Sequence, residues 1–580
     1  EKMKKHALVV MLVAVLFTGL IATITAPTVA SSNGMVAAVN NYAAEAGAKI
    51  LEMGGNAIDA AIAVSLALGV VEPYASGFGG EGYAVITMAD GSKYAIDFRS
   101  TAPMMATYEA IAEKGLKLSS ISYTPMGVCV PGVLAGIKEA WLLGATLPLS
   151  VLAAPAIELA RNGFIVDETF SQTTSDTYER LLESAFDFLN EGFVWETGSV
   201  FKNPELADTI ERIVEEGIDT FYTGSLADEI DAFMVENGGF LRKSDLESYR
   251  AIVREPLHGT YRGYDLYVPH PPVSGPQFIM VLNVLENYNL SAMSWDDPLA
   301  IHLIQQALIL GDVDRKAYIS DPEFHDLPYE AFMSKEYAKT RLMLINPGKV
   351  FDKPYASYLG DAYPFADGST YEEVLLEQLA PVMSSARAVE ESPSTTHFSI
   401  VDKEGNAVSW TQTISSFFGT GTYFKGFFFN NEMANFASSY REGDVINLTG
   451  GMRPRTTICP TVVMKDGEVR WVLGTPGAGR IVSMMVNLVV NLVDFNMPID
   501  QAIRSPKFVG YSSYTDLRME EGFPQSTLDF LEKILGHKLN IYAYPDLFFG
   551  GPNIIAVEEN GMMIGAGSLR RGGSASAPEF

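Results

Sequence analysis

Four pairs of apolar runs, each parted by a tight polar turn, constrain this chain more than any other feature. Tyr83–Met88 and Lys93–Phe98 flank Asp90-Gly91, and His397–Val401 and Ala407–Thr413 flank Asp402–Asn406. Thr461–Met464 and Val469–Leu473 flank Asp466-Gly467, and Ile554–Val557 and Met562–Ala566 flank Asn560-Gly561. Glycine accepts the positive φ that such turns need, so each pair predicts an antiparallel hairpin. Helical spacing of apolar residues predicts helices over 152–161, 204–216, 224–236, 276–288, 297–318, 371–380 and Ile481–Val493. Residues 40–72 predict two more, broken at Gly54-Gly55-Asn56, with Asp59 near the start of the second, where a carboxylate suits the helix dipole. Hairpins interleaved with helices predict an α+β fold on antiparallel sheets, not a doubly wound parallel one. At 580 residues the length fits about four average domains or one large fold.

Composition excludes several function classes. Lys plus Arg number 41 and Asp plus Glu 70, a net charge of −29 that repels phosphate backbones and argues against nucleic-acid binding. A 47% hydrophobic share with 19% charge fills a large core, so disorder is not the main state. Two cysteines cannot build a disulfide scaffold or a Cys-based structural zinc site. The seven histidines contain no HExxH pair, and the glycine-rich run Ser76–Gly82 leads into a strand without the Lys-Ser/Thr of a phosphate loop. No metal or cofactor is expected.

Lys2, Lys4 and Lys5 precede an apolar run from Ala7 to Ile24, followed by Ala26-Pro27-Thr28-Val29-Ala30. This is the pattern of a secretory signal cut near Ala30, and the run is also long enough for a membrane anchor. Either way the chain is expected to be exported, with contact to membrane only through this segment. Cys129 and Cys459 read as two separate buried thiols.

Residues 382–394 are polar, Ser-rich and broken by Pro393, and read as an exposed linker that runs abruptly into the strand beginning near Thr395. On its own Thr395 reads as a first strand residue. Cut before it, the chain would gain a free α-amine of pKa about 7.7–8.0 beside the hydroxyl, and a base in that position activates a threonine nucleophile.

The stretch Thr395-Thr396-His397-Phe398-Ser399-Ile400-Val401-Asp402, continuing Gly405-Asn406-Ala407-Val408, resembles the start of the small subunit of γ-glutamyltransferases, which are N-terminal-nucleophile hydrolases. Further landmarks resemble that family in order: Gly54–Ala61, Ala95-Ile96-Asp97-Phe98-Arg99 with Pro103, Pro271–Gly275, Leu285-Glu286-Asn287, Phe429–Met433, Gly474–Gly477 and Arg570–Gly573. The resemblance implies an αββα sandwich, two stacked antiparallel sheets between helical layers, formed by both halves of a self-cleaved precursor. It implies cleavage between Ser394 and Thr395, giving a large subunit (31–394) after the N-terminal segment (1–30) and a small one (395–580) that stay together as a heterodimer.

Roles carry over position by position. The resemblance implies Thr395 as nucleophile, Thr413 as its hydrogen-bond partner, and the amides of Gly477 and Ala478 as an oxyanion hole, Ala standing where the family usually has Gly. It implies Arg99, Thr456 and Thr457 at the substrate α-carboxylate, with Glu432, Asn435 and Ser415 around the rest of the glutamyl group. Two positions depart: Asn435 where the family usually has an Asp that binds the α-ammonium, and Ser415 where it usually has Asn. The segment between Phe436 and Arg453 is shorter than in relatives with a long lid, which implies an open pocket. The implied activity is transfer of a γ-glutamyl group, glutathione being the default donor, to water or an amino-acid or peptide acceptor. The departures also admit a glutaryl or cephalosporin-type acylase, a poly-γ-glutamate hydrolase, or an unprocessed binding relative.

Overall fold

The computed structural model describes residues 28–376 and 394–579. Two seven-stranded antiparallel sheets lie face to face. The first runs Ser574–Ser576, Gly34–Ala38, Thr396–Asp402, Ala407–Thr413, Glu81–Thr87, Lys93–Phe98, Ile252–Arg254. The second runs Thr28–Ser31, Met563–Gly567, Asn553–Val557, Glu468–Leu473, Thr461–Lys465, Tyr264–Val268, Leu257–Tyr261. Both sheets draw strands from either side of residue 394. All four predicted hairpins are present. A parallel pair occurs in a small three-stranded sheet, between Leu517–Glu520 and Leu539–Tyr542.

Period-two alternation places the cores. Phe398, Ile400, Val408 and Trp410 pack beneath the helices Asn41–Glu52, Ala57–Val71, Val133–Gly144 and Leu149–Asn162. Val401 and Ala407 point the other way, against Val462, Val472 and Ile555 of the second sheet. That sheet's outer face packs against Gly275–Leu285, Pro298–Tyr318 and Ile481–Val493. The result is the helix–sheet–sheet–helix sandwich that the resemblance implied.

The predicted helices stand, with the fourth ending at Leu285 rather than 288, and the sixth, 371–380, described only to Leu376. The break at Gly54–Asn56 is a capping box: the Asn56 side chain accepts from the Ile58 and Asp59 amides, and Asp59 Oδ2 accepts from Asn56 N at 2.9 Å. Such a cap fixes where the wholly buried helix Ala57–Val71 begins. Cys129 and Cys459 are both free and buried, and burial raises both thiols, Cys459 to about 12.

The apolar run 7–24 and most of the expected linker lie outside the described residues. Ser394, the linker's last residue, is fully buried, so the exposed reading fails there. Its hydroxyl donates to the Ser415 carbonyl at 2.5 Å, which draws this end of the segment into the sandwich. Thr28–Ser31 forms an edge strand paired with Met563–Gly567, so a cut at Ala30 would remove most of it. Among the described residues no helix is long and apolar enough to cross a membrane.

Candidate active site

Strands Thr396–Asp402 and Ala407–Thr413 set the site by their register. Thr396 pairs with Gln412 and His397 with Thr411, so one step further Thr395 lies opposite Thr413. The same face carries a ladder of polar pairs between the sheets: Thr395 with Thr413, His397 with Thr411, Ser399 with Ser409. A buried polar group left unpaired costs about 1–3 kcal/mol, so this ladder needs complete partners.

It has them. His397 Nδ1 lies 2.8 Å from Thr411 Oγ1 and Nε2 lies 3.0 Å from Ser399 Oγ, which donates to the Asn553 carbonyl at 2.9 Å. That direction assigns the ring proton to Nε2. Burial pushes His397 down to about 3, so the ring stays neutral and braces the strands rather than shuttling charge. The ring also packs on Gly474, where a Cβ would come within 2.3 Å of it. Glycine there lets the loop Gly474–Gly477 approach the strand end.

At the ladder's upper end, the Thr413 hydroxyl donates to the Ser394 carbonyl at 2.6 Å, accepts the Ser415 amide at 2.9 Å, and lies 3.4 Å from Thr395 Oγ1, which donates to it. One hydroxyl thus joins the carbonyl before Thr395 to the Thr395 side chain. Arg571 Nη1 donates to the Thr395 carbonyl. Behind it, Glu72 accepts from Thr396 Oγ1 at 2.6 Å and Tyr74 OH at 2.9 Å, and lies 3.5 Å from Arg571 Nη2. Burial raises the Glu72 carboxyl above its ordinary range, with Arg571 pulling the other way.

The loop after Gly474 is held in an unusual backbone form. Gly477 has φ 143° and Ala478 φ 51°, so alanine adopts the left-handed region. The Thr457 hydroxyl donates to the Ala478 carbonyl at 2.6 Å. Ser415 is also left-handed, at φ 74°, a region that Asn enters more readily than most residues.

Arg99 is wholly buried. Its Nε donates to the Pro454 carbonyl at 2.9 Å and its Nη2 to Glu432 Oε2 at 2.7 Å and the Arg455 carbonyl at 3.4 Å. Its Nη1 pairs with Glu81. Asn435 Nδ2 donates to the same Glu432 oxygen. The segment carrying Thr456 therefore flanks Arg99 through its carbonyls, while the Thr457 hydroxyl turns to the Ala478 loop.

A cavity of about 460 Å³ brings Ser415, Asn431 and Asn435 together with Gly479 and Arg480, just past Ala478. Ser119, Ser122 and Tyr123 wall one side, and Tyr511, Tyr514, Arg518 and Phe548 another. The short segment after Phe436 folds back on itself, Ala437 N donating to the Ile446 carbonyl at 2.8 Å, and Tyr108 OH ties it down at 2.6 Å. Loops from elsewhere wall the cavity. Glu81 is the residue that sequence reasoning passed over, hidden in a run of glycines. Its signal was the register of the first hairpin: Gly82 pairs with Phe98, so Glu81 falls opposite Arg99.

Residues 43–578 match the family described as gamma-glutamyltranspeptidase. The chain belongs to that family. It is 34% identical over 561 residues to the glutathione hydrolase proenzyme of Escherichia coli (strain K12), covering 93% of this chain and 91% of the relative. It is 33% identical over 559 residues to the glutathione hydrolase proenzyme of Bacillus subtilis (strain 168), covering 94% and 91%. Among solved structures it is similar to the cephalosporin acylase from Bacillus halodurans, with TM-score 0.83, 28% identity, and 96% and 97% of the two chains covered. Membership makes this chain an enzyme of the N-terminal-nucleophile hydrolase fold, and the two-sheet sandwich agrees.

Proposed function

We propose that the chain cleaves itself before Thr395 and then acts as a γ-glutamyl hydrolase and transferase. The observation that carries this is the Thr413 hydroxyl, which bridges the Ser394 carbonyl and Thr395 Oγ1. In the uncut chain, Thr395 Oγ attacks the Ser394 carbonyl carbon while Thr413 donates to the oxygen on which charge develops. The Ser394–Thr395 C–N bond breaks, the nitrogen leaves as the Thr395 amine carrying the proton, and the acyl group rests on Oγ as an ester. Water hydrolyses the ester, leaving a Ser394 carboxylate and a free Thr395.

The freed amine then serves as base for the same hydroxyl. Thr395 Oγ attacks the γ-carbonyl of a γ-glutamyl amide such as glutathione, the amine product departs, and water or the amine of an amino acid or peptide takes the acyl group. Gly477 and Ala478 supply amides for the oxyanion, and Ala478 keeps its N–H despite the missing glycine. In this reading Arg99 and the Thr456 segment beside it take the carboxylate end, Glu432, Asn435 and Ser415 lie along the rest of the acyl group, and Thr457, bonded to the Ala478 carbonyl, orders the oxyanion loop instead of the carboxylate. Because both sheets take strands from 31–394 and 395–580, scission leaves two interleaved fragments, a heterodimer held by the shared cores. We place the enzyme outside the cytoplasm on the strength of the basic-then-apolar N-terminus.

A second reading is favoured by Asn435. An amide in place of a carboxylate lowers the gain from an α-ammonium, and the similarity to a cephalosporin acylase points the same way. Rates on γ-glutamyl and glutaryl anilides, with Thr395→Ala as control, decide. Faster γ-glutamyl turnover that vanishes in Thr395→Ala supports the first reading, and equal or faster glutaryl turnover supports the acylase.

A further inference from the structure

Four residues lie in one row across adjacent strands of the first sheet. Thr395 falls opposite Thr413, Thr413 pairs with Glu81, and Glu81 falls opposite Arg99. Directly paired residues of antiparallel strands point to the same face, so Glu81 shares the face of the nucleophile and stands between it and Arg99. At about 4.8 Å per strand, Thr395 and Arg99 are roughly 14 Å apart along the row, and Glu81 is the acid in that gap.

Glu81 is held there independently of Arg99. Its Oε2 accepts the Ser100 amide at 2.8 Å and the Ser100 hydroxyl, which turns Oε1 toward the guanidinium. Both side chains are wholly buried. Arg99 meets a second carboxylate, Glu432, on its other arm, and two backbone carbonyls. One cation therefore faces two fixed anions, and a planar fork engaged in this way has little left for a carboxylate that arrives with the substrate. Asn435, also on Glu432, adds no positive charge.

We propose that Glu81 is a specificity-determining residue: it occupies Arg99 as an internal carboxylate and shifts the enzyme toward γ-amides whose acyl chain lacks a carboxylate. This rests on the Thr395 acyl-transfer reading above. An acyl group with the γ-carbonyl but only hydrogen, or an amine, at the far end meets no repulsion from Glu81. A γ-glutamyl or glutaryl group must compete with Glu81 for the guanidinium, and the cost falls on its binding.

The test compares the processed wild-type enzyme with Glu81→Gln on three p-nitroanilides: γ-glutamyl, glutaryl and 4-aminobutyryl. The last is the γ-glutamyl donor without its carboxylate. In the wild type, kcat/KM for γ-glutamyl is expected within tenfold of that for 4-aminobutyryl. In Glu81→Gln, which keeps an oxygen for Ser100, the γ-glutamyl to 4-aminobutyryl ratio is expected to rise at least tenfold, through KM rather than kcat. Glu81→Ala carries the same test if the Gln variant does not process. A wild-type preference above a hundredfold for γ-glutamyl, or a ratio that moves less than threefold in the variant, overturns the role of Glu81 and leaves the Thr395 reading intact. Hydrolysis of none of the three by processed wild type overturns the reading beneath it.

Discussion

Replacing Thr413 by Val tests the proposed self-cleavage step. Valine keeps the shape of the side chain and removes the hydroxyl that donates to the Ser394 carbonyl at 2.6 Å. In the uncut ground state that bond is an ordinary neutral one, worth about 1 kcal/mol. In the tetrahedral intermediate the same oxygen carries negative charge, and losing a donor there costs about 2.7–4 kcal/mol. The difference, roughly 2–3 kcal/mol, raises the barrier and slows scission by about 30- to 150-fold. Freshly translated precursor, sampled over time on denaturing gels, gives the rate as loss of the full-length band. Thr413→Ser restores the hydroxyl, and with it both the bond to the Ser394 carbonyl and the bond from the Ser415 amide, and should recover most of the rate, which ties the effect to the hydroxyl rather than to the packing of the side chain. Scission in Thr413→Val within threefold of wild type, or a serine variant as slow as the valine one, would refute the argument.

Further expectations follow from the buried charges and the strained loop. Glu72→Ala leaves Arg571 as a buried cation against the Thr395 carbonyl and should cost about 3–5 kcal/mol in urea unfolding, whereas a loss under about 1 kcal/mol would mean that Glu72 does not neutralise it. Ala478→Gly relieves left-handed strain of about 1–2 kcal/mol against a chain-entropy cost of about 0.5–1, so its melting temperature should hold or rise, and a clear fall would count against the loop geometry. Burial holds His537 at about 3, below its unfolded value, so the unfolded chain binds this proton first as pH falls. That stability is present above about pH 6.5 and drains between 6.5 and 3 at about 1.4 kcal/mol per pH unit. His537→Gln should flatten the fall in stability between pH 7 and 5 by about 2 kcal/mol, and an unchanged slope would show that the ring is not buried neutral.

Three of the hairpins were legible because Asp-Gly and Asn-Gly turns announce themselves, and the fourth through the polar turn Asp402–Asn406, but that Thr395 lies opposite Thr413 comes from the strand register of the structure. Strands Leu257–Tyr261 and Tyr264–Val268 were not legible, because their turn is Arg262-Gly263 and puts arginine, at φ 52°, where Asn or Asp usually signals the turn. Gly34–Ala38 is buried along its whole length and so lacks the alternation that marks a half-exposed strand. The nucleophile end of the site was suggested only through the resemblance carried by the Thr-Thr-His stretch, because on its own Thr395 is a strand threonine like any other. The occupant of Arg99 was not, because Glu81 reads as part of a flexible glycine run until pairing with Thr413 fixes it in a central strand.

The central claim concerns a freed Thr395 amine, and N-terminal sequencing of the purified, active protein reads it directly. A second sequence beginning Thr-Thr-His-Phe-Ser-Ile, absent from the uncut Thr395→Ala protein, is what the account predicts. An active preparation in which every chain still runs unbroken through Ser394–Thr395 would contradict it.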